Sequence, residues 1–126
     1  MADDETGTTI SGESAAAALA YLTEMSPDLR GGAILAADGT VLSASGSPAR
    51  WRDDVAELLA VADRAEGEPI EQVHIATEQG EVFALRHAGL TAVAVTERLA
   101  LASLLFFDMR SVLRDLAAGG DGRAGQ

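Results

Sequence analysis

The sequence predicts an α+β domain in which helices pack on a five-stranded, mainly antiparallel sheet, in the order α-ββ-α-βββ-α. Three observations predict it. Apolar residues recur at helical spacing in three separate stretches. Five runs rich in Ala, Val, Ile and Leu lie between them. The turns inside the two groups of runs are short and contain glycine, so neighbouring strands fold back as hairpins, and one helix links the groups.

Residues 1–10 and 119–126 are polar, acidic or Gly-rich and read as disordered tails around a single domain over 11–118. Ala15, Ala18, Leu19, Leu22 and Met25 form the first helical stripe, with Ser11 or Ser14 as N-cap and Pro27 as its end. In "RGGAILAADGTVLSAS", residues 30–45, Ile34, Leu35 and Ala36 run up to Asp38-Gly39, and Val41 and Leu42 run away from it. Asp-Gly is expected to supply the positive φ angles of a tight hairpin turn. Ser47-Pro48 opens a helix to about Glu66, with Trp51, Val55, Leu58, Leu59, Ala62 and Ala65 on one face, and Gly67 stops it. Strand-like "PIEQVHIATEQ" and "GEVFALRHA" meet around Gln79-Gly80, and "LTAVAVT" follows a turn at Gly89. From Leu101 to Ala118 the period is helical again, and Gly119-Gly120 ends it.

Composition narrows the function. The net charge of −11, from 20 acidic residues against 9 basic ones, repels phosphate backbones and anionic lipid and argues against nucleic-acid binding. A protein partner with a basic patch stays open. All nine basic residues are Arg, which with the abundant Ala and Gly points to a GC-biased bacterial genome. The lack of cysteine excludes disulfides and thiolate metal sites. The longest apolar stretch, Leu99 to Phe107, is too short for a membrane span, and the acidic N-terminus lacks the order of a signal peptide. A soluble, cytoplasmic protein without membrane insertion is expected.

The runs "GGAILAADGTVLSAS", "WRDDVAELLAVADRA" and "GEVFALRHAGLTAVAVTERLALASLLFFDMRSVLRDLAA" resemble, in order and length, the roadblock/dynein-light-chain family, which includes bacterial gliding-motility regulators and Ragulator subunits. The resemblance covers residues 14–118 and implies a roadblock-like (profilin-like) α/β sandwich. It also implies a dimer in which the middle helices lie side by side and the following strand pairs across the two-fold axis. Such a dimer is a platform for small Ras-like GTPases, which family members activate or merely bind. It implies no catalytic residues and no cofactor. On this geometry Trp51, Val55, Leu58, Val61, Val73 and Ile75 form the dimer or partner interface. The residues themselves are compatible with it. Val61 points off the main stripe, Trp51 is either a partly buried core residue or an interface anchor, and Val73 and Ile75 share one strand face. Self-pairing would remove the aggregation hazard of an open edge.

Other groups invite chemistry. His74 and His87 fall on strands joined by a hairpin, near Glu71, Glu78 and Glu81, but their spacing fits no metal or acid/base motif. Ser43, Ser45, Ser47 and Ser103 sit in no nucleophile motif. Asp53-Asp54 belong to the start of a helix, where acids favour the positive dipole end. Phe106 and Phe107 are about 100° apart on their helix, so one faces the core. The other packs against the first helix or, with Leu104, forms an exposed patch. Arg86, Arg98, Arg110 and Arg114 are candidates for an arginine finger. Arg110 and Arg114 read instead as solvated partners of Asp108 and Asp115, and relatives act by rearranging the GTPase's own residues. The expectation is a non-enzymatic homodimer that binds and regulates or localises a small Ras-like GTPase. The rivals are a small-molecule sensor of profilin- or PAS-like fold and a dimeric scaffold with no GTPase.

Overall fold

The computed structural model describes residues 10–97 and 100–121. Its elements are α1 (Gly12–Met25), β1 (Leu29–Ala36), β2 (Val41–Ala44), α2 (Pro48–Glu66), β3 (Gln72–Ala76), β4 (Glu81–His87), β5 (Leu90–Thr96) and α3 (Ala102–Ala117). The order is the one the sequence predicts. The sheet runs β2-β1-β5-β4-β3, every pairing is antiparallel, and α2 is the only helical link between its strands.

Local chemistry explains the ends of these elements. The Ser11 hydroxyl accepts the Ser14 N–H at 3.0 Å and caps α1. The helix stops at Met25, two residues before Pro27, because a residue preceding proline avoids the helical region. The Asp38-Gly39 turn differs from expectation. Only Gly39 has a positive φ, +92°; the Gly39 N–H bonds the Ala36 carbonyl, and the Thr40 N–H bonds Asp38 Oδ1 at 2.9 Å. The loop is therefore Ala37-Asp38-Gly39, closed by one left-handed glycine, and the register slips between Ile34 and Leu35 opposite Leu42. That slip lets Val41 and Ala44, three residues apart, pack on the same face of the sheet, while Leu42 packs on the other.

The sheet separates two apolar clusters. On one face α1 and α3 enclose Ile34, Phe83, Leu85, Leu90, Ala92 and Ala94. Phe106 packs there edge-on to Phe83, with ring centroids 5.3 Å apart, whereas Phe107 is 65% exposed. Of the two placements open to the outward Phe, exposure beside Leu104 is the one adopted. On the other face α2 stands alone over Ala33, Leu35, Ala84 and Val93. Its stripe Trp51, Leu58 and Leu59 is only half-buried, and Val55 is its single buried residue. A helix whose apolar stripe is only partly covered by its own chain has surface left to bury elsewhere.

Candidate functional site

The half-covered face begins at a corner that the sequence builds tightly. The Gly32 N–H donates to Ser45 Oγ at 2.9 Å, and the Trp51 indole N–H donates to the Ser45 carbonyl at 2.5 Å. The indole lies over Gly31, where a Cβ would approach it to 3.8 Å. Trp51 thus has a fixed orientation and one exposed flank. At the far end of α2, Arg86 of β4 holds Asp63 in a two-pronged ion pair, Nη1 to Oδ1 at 3.0 Å and Nη2 to Oδ2 at 2.9 Å. Arg86 also donates to the Ile70 carbonyl, and the Ile70 N–H donates to Asp63 Oδ1. The Arg86 guanidinium, aided by the Ile70 N–H, holds the Asp63 carboxyl below the usual carboxylate range.

Against the Trp51 corner lies an open groove of about 400 Å³, mainly apolar but lined also by Ser45, Ser47, Arg50 and Asp54. Trp51, Val55 and Leu58 form its wall, and Val82, Val93 and Val95 line the sheet beside them. Past it the sheet ends at β3, which pairs only with β4 and leaves its other edge open. Val73 is half-buried against α2's cluster, while Ile75 is 39% exposed and Val61 is 50% exposed. The six residues expected at an interface therefore fall on one side of the sheet, on α2 and the edge strand. Val55 is the exception in exposure, being a core residue rather than a surface one. Val82, Val93 and Val95 were not anticipated. Their strands read Val-Phe-Ala and Ala-Val-Ala-Val, apolar on both faces, so the sequence pattern does not reveal which side is bare.

The histidines are not brought together. His74 Nε2 lies 2.6 Å from the buried Glu81, and its ring stacks on Phe83 at 4.3 Å. His87, four residues beyond Phe83 on β4, lies instead 3.7 Å from Glu71. No group of three potential metal ligands occurs among the described residues. Two of the four candidate arginines have partners: Arg86 pairs with Asp63, and Arg110 lies 3.4 Å from both Glu71 and Gln72. Arg98 lies outside the described residues. No helix is long and apolar enough to cross a membrane among the described residues. What this surface offers among the described residues is shape and apolar area.

No protein-family model and no curated protein matches the chain. Solved structures do. A roadblock/LC7 domain from Streptomyces avermitilis superposes with a TM-score of 0.61 at 21% identity, over 81% of this chain and 90% of that one. The gliding protein MglB of Thermus thermophilus gives 0.68 at 15% identity, over 91% and 100%. Profilin IA of Acanthamoeba castellanii gives 0.50 at 16%, over 80% and 98%. The bare edge strand and the lone helix beside it are thus features of a chain with the roadblock/LC7 fold.

Proposed function

We propose that this chain is a non-enzymatic, dimeric member of the roadblock family, acting in the bacterial cytoplasm as a binding platform that regulates or localises a small Ras-like GTPase. What supports the dimer is the open groove beside α2 and the exposed Val61 on that helix, together with the open edge of β3. A second copy related by a two-fold axis would cover all three at once, because an isologous contact presents the same patch on both sides. β3 would pair with its own mate, extending the sheet across the axis, and the two α2 helices would lie side by side above it. Trp51, Val55, Leu58, Val61, Val73 and Ile75 are assigned to this interface or its support.

The GTPase assignment rests on the fold likeness to roadblock domains and MglB, together with the family resemblance of the sequence. Its mechanism is surface complementarity, with the partner's own residues performing any hydrolysis. The deciding experiment is a pull-down from the native cell extract with GDP or a non-hydrolysable GTP analogue, read by mass spectrometry. A small GTPase recovered in one nucleotide state only is the expected result. Recovery of self-copies alone would reduce the protein to a dimeric scaffold. The volume of the groove also falls within the range of small-molecule sites, roughly 300–1,000 Å³. A small molecule co-purifying with the protein, seen by native mass spectrometry, would favour a sensor instead.

A further inference from the structure

The sheet has one edge at β2 and another at β3. The β2 edge is short, Val41–Ala44, and its register against β1 slips, a form that discourages pairing with another chain. β3 is built differently. Gln72–Ala76 pairs with β4 without a slip, and the strand contains no proline, arginine or acidic residue. Its one polar ring is drawn back from the edge: His74 stacks on Phe83 of β4 at 4.3 Å, and its Nε2 lies 2.6 Å from Glu81 Oε1. The strand thus lacks the devices by which proteins keep an edge from pairing.

The ladder fixes which backbone groups this edge presents. The Thr77 N–H bonds the Gly80 carbonyl and the Arg86 N–H bonds the Glu71 carbonyl, so the pairs at both ends of the β3–β4 ladder are hydrogen-bonded ones. Bonded and non-bonded pairs alternate along antiparallel strands. Val73 and Ile75 therefore direct their N–H and C=O groups to β4, and those of Gln72, His74 and Ala76 point out of the edge. Side chains alternate too. Val73 and Ile75 lie on the α2 face; Gln72, His74 and Ala76 lie on the α3 face, where Phe83 sits.

From this pattern, and resting on the dimer proposed above, we infer that β3 pairs with its mate about a two-fold axis through His74. Residues opposite one another must share a face, so the axis can pass only through a residue: Val73, His74 or Ile75. With the axis at His74, that residue faces its own symmetry mate, and Gln72 faces Ala76 of the second copy. Each outward backbone then gains a bonded partner. On the α2 face Val73 meets Ile75 in both directions, an apolar cross-strand pair. An axis at Val73 would set Ile75 against Glu71, and an axis at Ile75 would set Val73 against Thr77. Either shift also carries one outward residue past the end of the mate's strand. Backbone and side chains thus select the same register, and one short strand supplies both halves of it. His74 is a positioning residue of the seam rather than a reacting group.

The chain has no cysteine, which makes the register directly testable. The Cα atoms of a bonded cross-strand pair are about 5.5 Å apart, inside the disulfide range of roughly 4.4–6.8 Å. Val73→Cys, His74→Cys and Ile75→Cys, each verified as folded by circular dichroism, are oxidised gently and run on non-reducing gels. His74→Cys should shift from the mass of one chain to that of two. The other two should remain at one chain, because each mate is displaced diagonally to about 7–8 Å. Since His74→Cys gives up the Glu81 contact, a mixture of Val73→Cys and Ile75→Cys, left to exchange, gives an independent reading. It should cross-link although neither variant does alone. Self-cross-linking of Val73→Cys or Ile75→Cys in preference to His74→Cys overturns the His74 axis while leaving the dimer. No cross-link in any sample, from a wild type that light scattering shows to be two chains, overturns pairing through β3. A wild type of one-chain mass overturns the dimer itself, and this seam with it.

Discussion

Ala88 carries a φ of +55° in the two-residue turn between His87 and Leu90, beside Gly89 at +78°. Two consecutive left-handed residues define the mirror-image turn that suits the twist of antiparallel strands, and that turn favours Asn-Gly. An alanine there is held in place by the β4–β5 ladder against a steric cost of about 1 kcal/mol. Ala88→Asn should therefore stabilise the domain by roughly 0.5–1 kcal/mol, read as a higher urea midpoint at unchanged slope. Gly80 is constrained in the other direction. A Cβ there would collide with the Thr96 carbonyl and the Arg30 guanidinium. The guanidinium, on a side chain 45% exposed, can swing away, but the Thr96 carbonyl belongs to β5. Gly80→Ala should cost about 1–3 kcal/mol in the same titration. The turns at Gly39, Gly80 and Gly89 are legible in the sequence because glycine marks them. Ala88 is not legible, since its conformation is imposed by the register of two strands and contradicts the residue's own preference. The same applies at Asp38, whose side chain bonds the Thr40 N–H instead of its backbone turning left-handed.

At the scale of elements, α2 is fastened at its two ends and only lightly along its length. Its start is fixed by Trp51 to the Ser45 carbonyl, and its last turns by Asp63 to Arg86. The pH dependence follows from the second fastening. The folded pKa of Asp63 lies below the unfolded value near 3.8, so its contribution is complete above that value and is lost as pH falls through the lower folded one. Asp63→Asn should lower stability at neutral pH and flatten the acid limb of a stability–pH profile below about pH 4. Asp108 acts with the opposite sign. Partial burial raises its pKa, so its favourable contribution is present at low pH and is lost as pH rises through the raised folded value. Asp108→Asn should remove that loss, leaving stability at neutral pH equal or slightly higher by thermal melting. The apolar stripe of α2 was readable from its period, yet its coverage was not. Periodicity records which residues are destined for burial and is silent about whether the covering surface belongs to the same chain. Val82, Val93 and Val95 escaped for a related reason: on strands apolar to both sides, a face roofed by helices and a bare face look alike.

For the whole molecule, the proposed dimer would spread the platform across two copies, joined at the open β3 edge and the lone α2. Val61 is 50% exposed, and the chain's own core does not depend on it, so Val61→Arg should fold with nearly unchanged stability. In the proposed dimer the same change would bring an unpaired charge into a desolvated contact. A loss of about 3 kcal/mol there weakens association by two orders of magnitude, enough to make a micromolar dimer monomeric at working concentrations. Size-exclusion chromatography with light scattering should show this directly, as a fall from the mass of two chains to that of one. If the GTPase straddles both copies, the monomer should also lose nucleotide-dependent capture of it, although its fold is intact. Phe107→Glu, on the far face of the sheet, should retain capture. Capture by a monomeric Val61→Arg would instead confine the platform to a single copy and separate dimerisation from partner recognition. The pairing of these two variants matters because each changes an exposed apolar residue to a charge. They lie on opposite sides of the sheet, so loss of capture confined to Val61→Arg would point to the α2 side or to the dimer it supports.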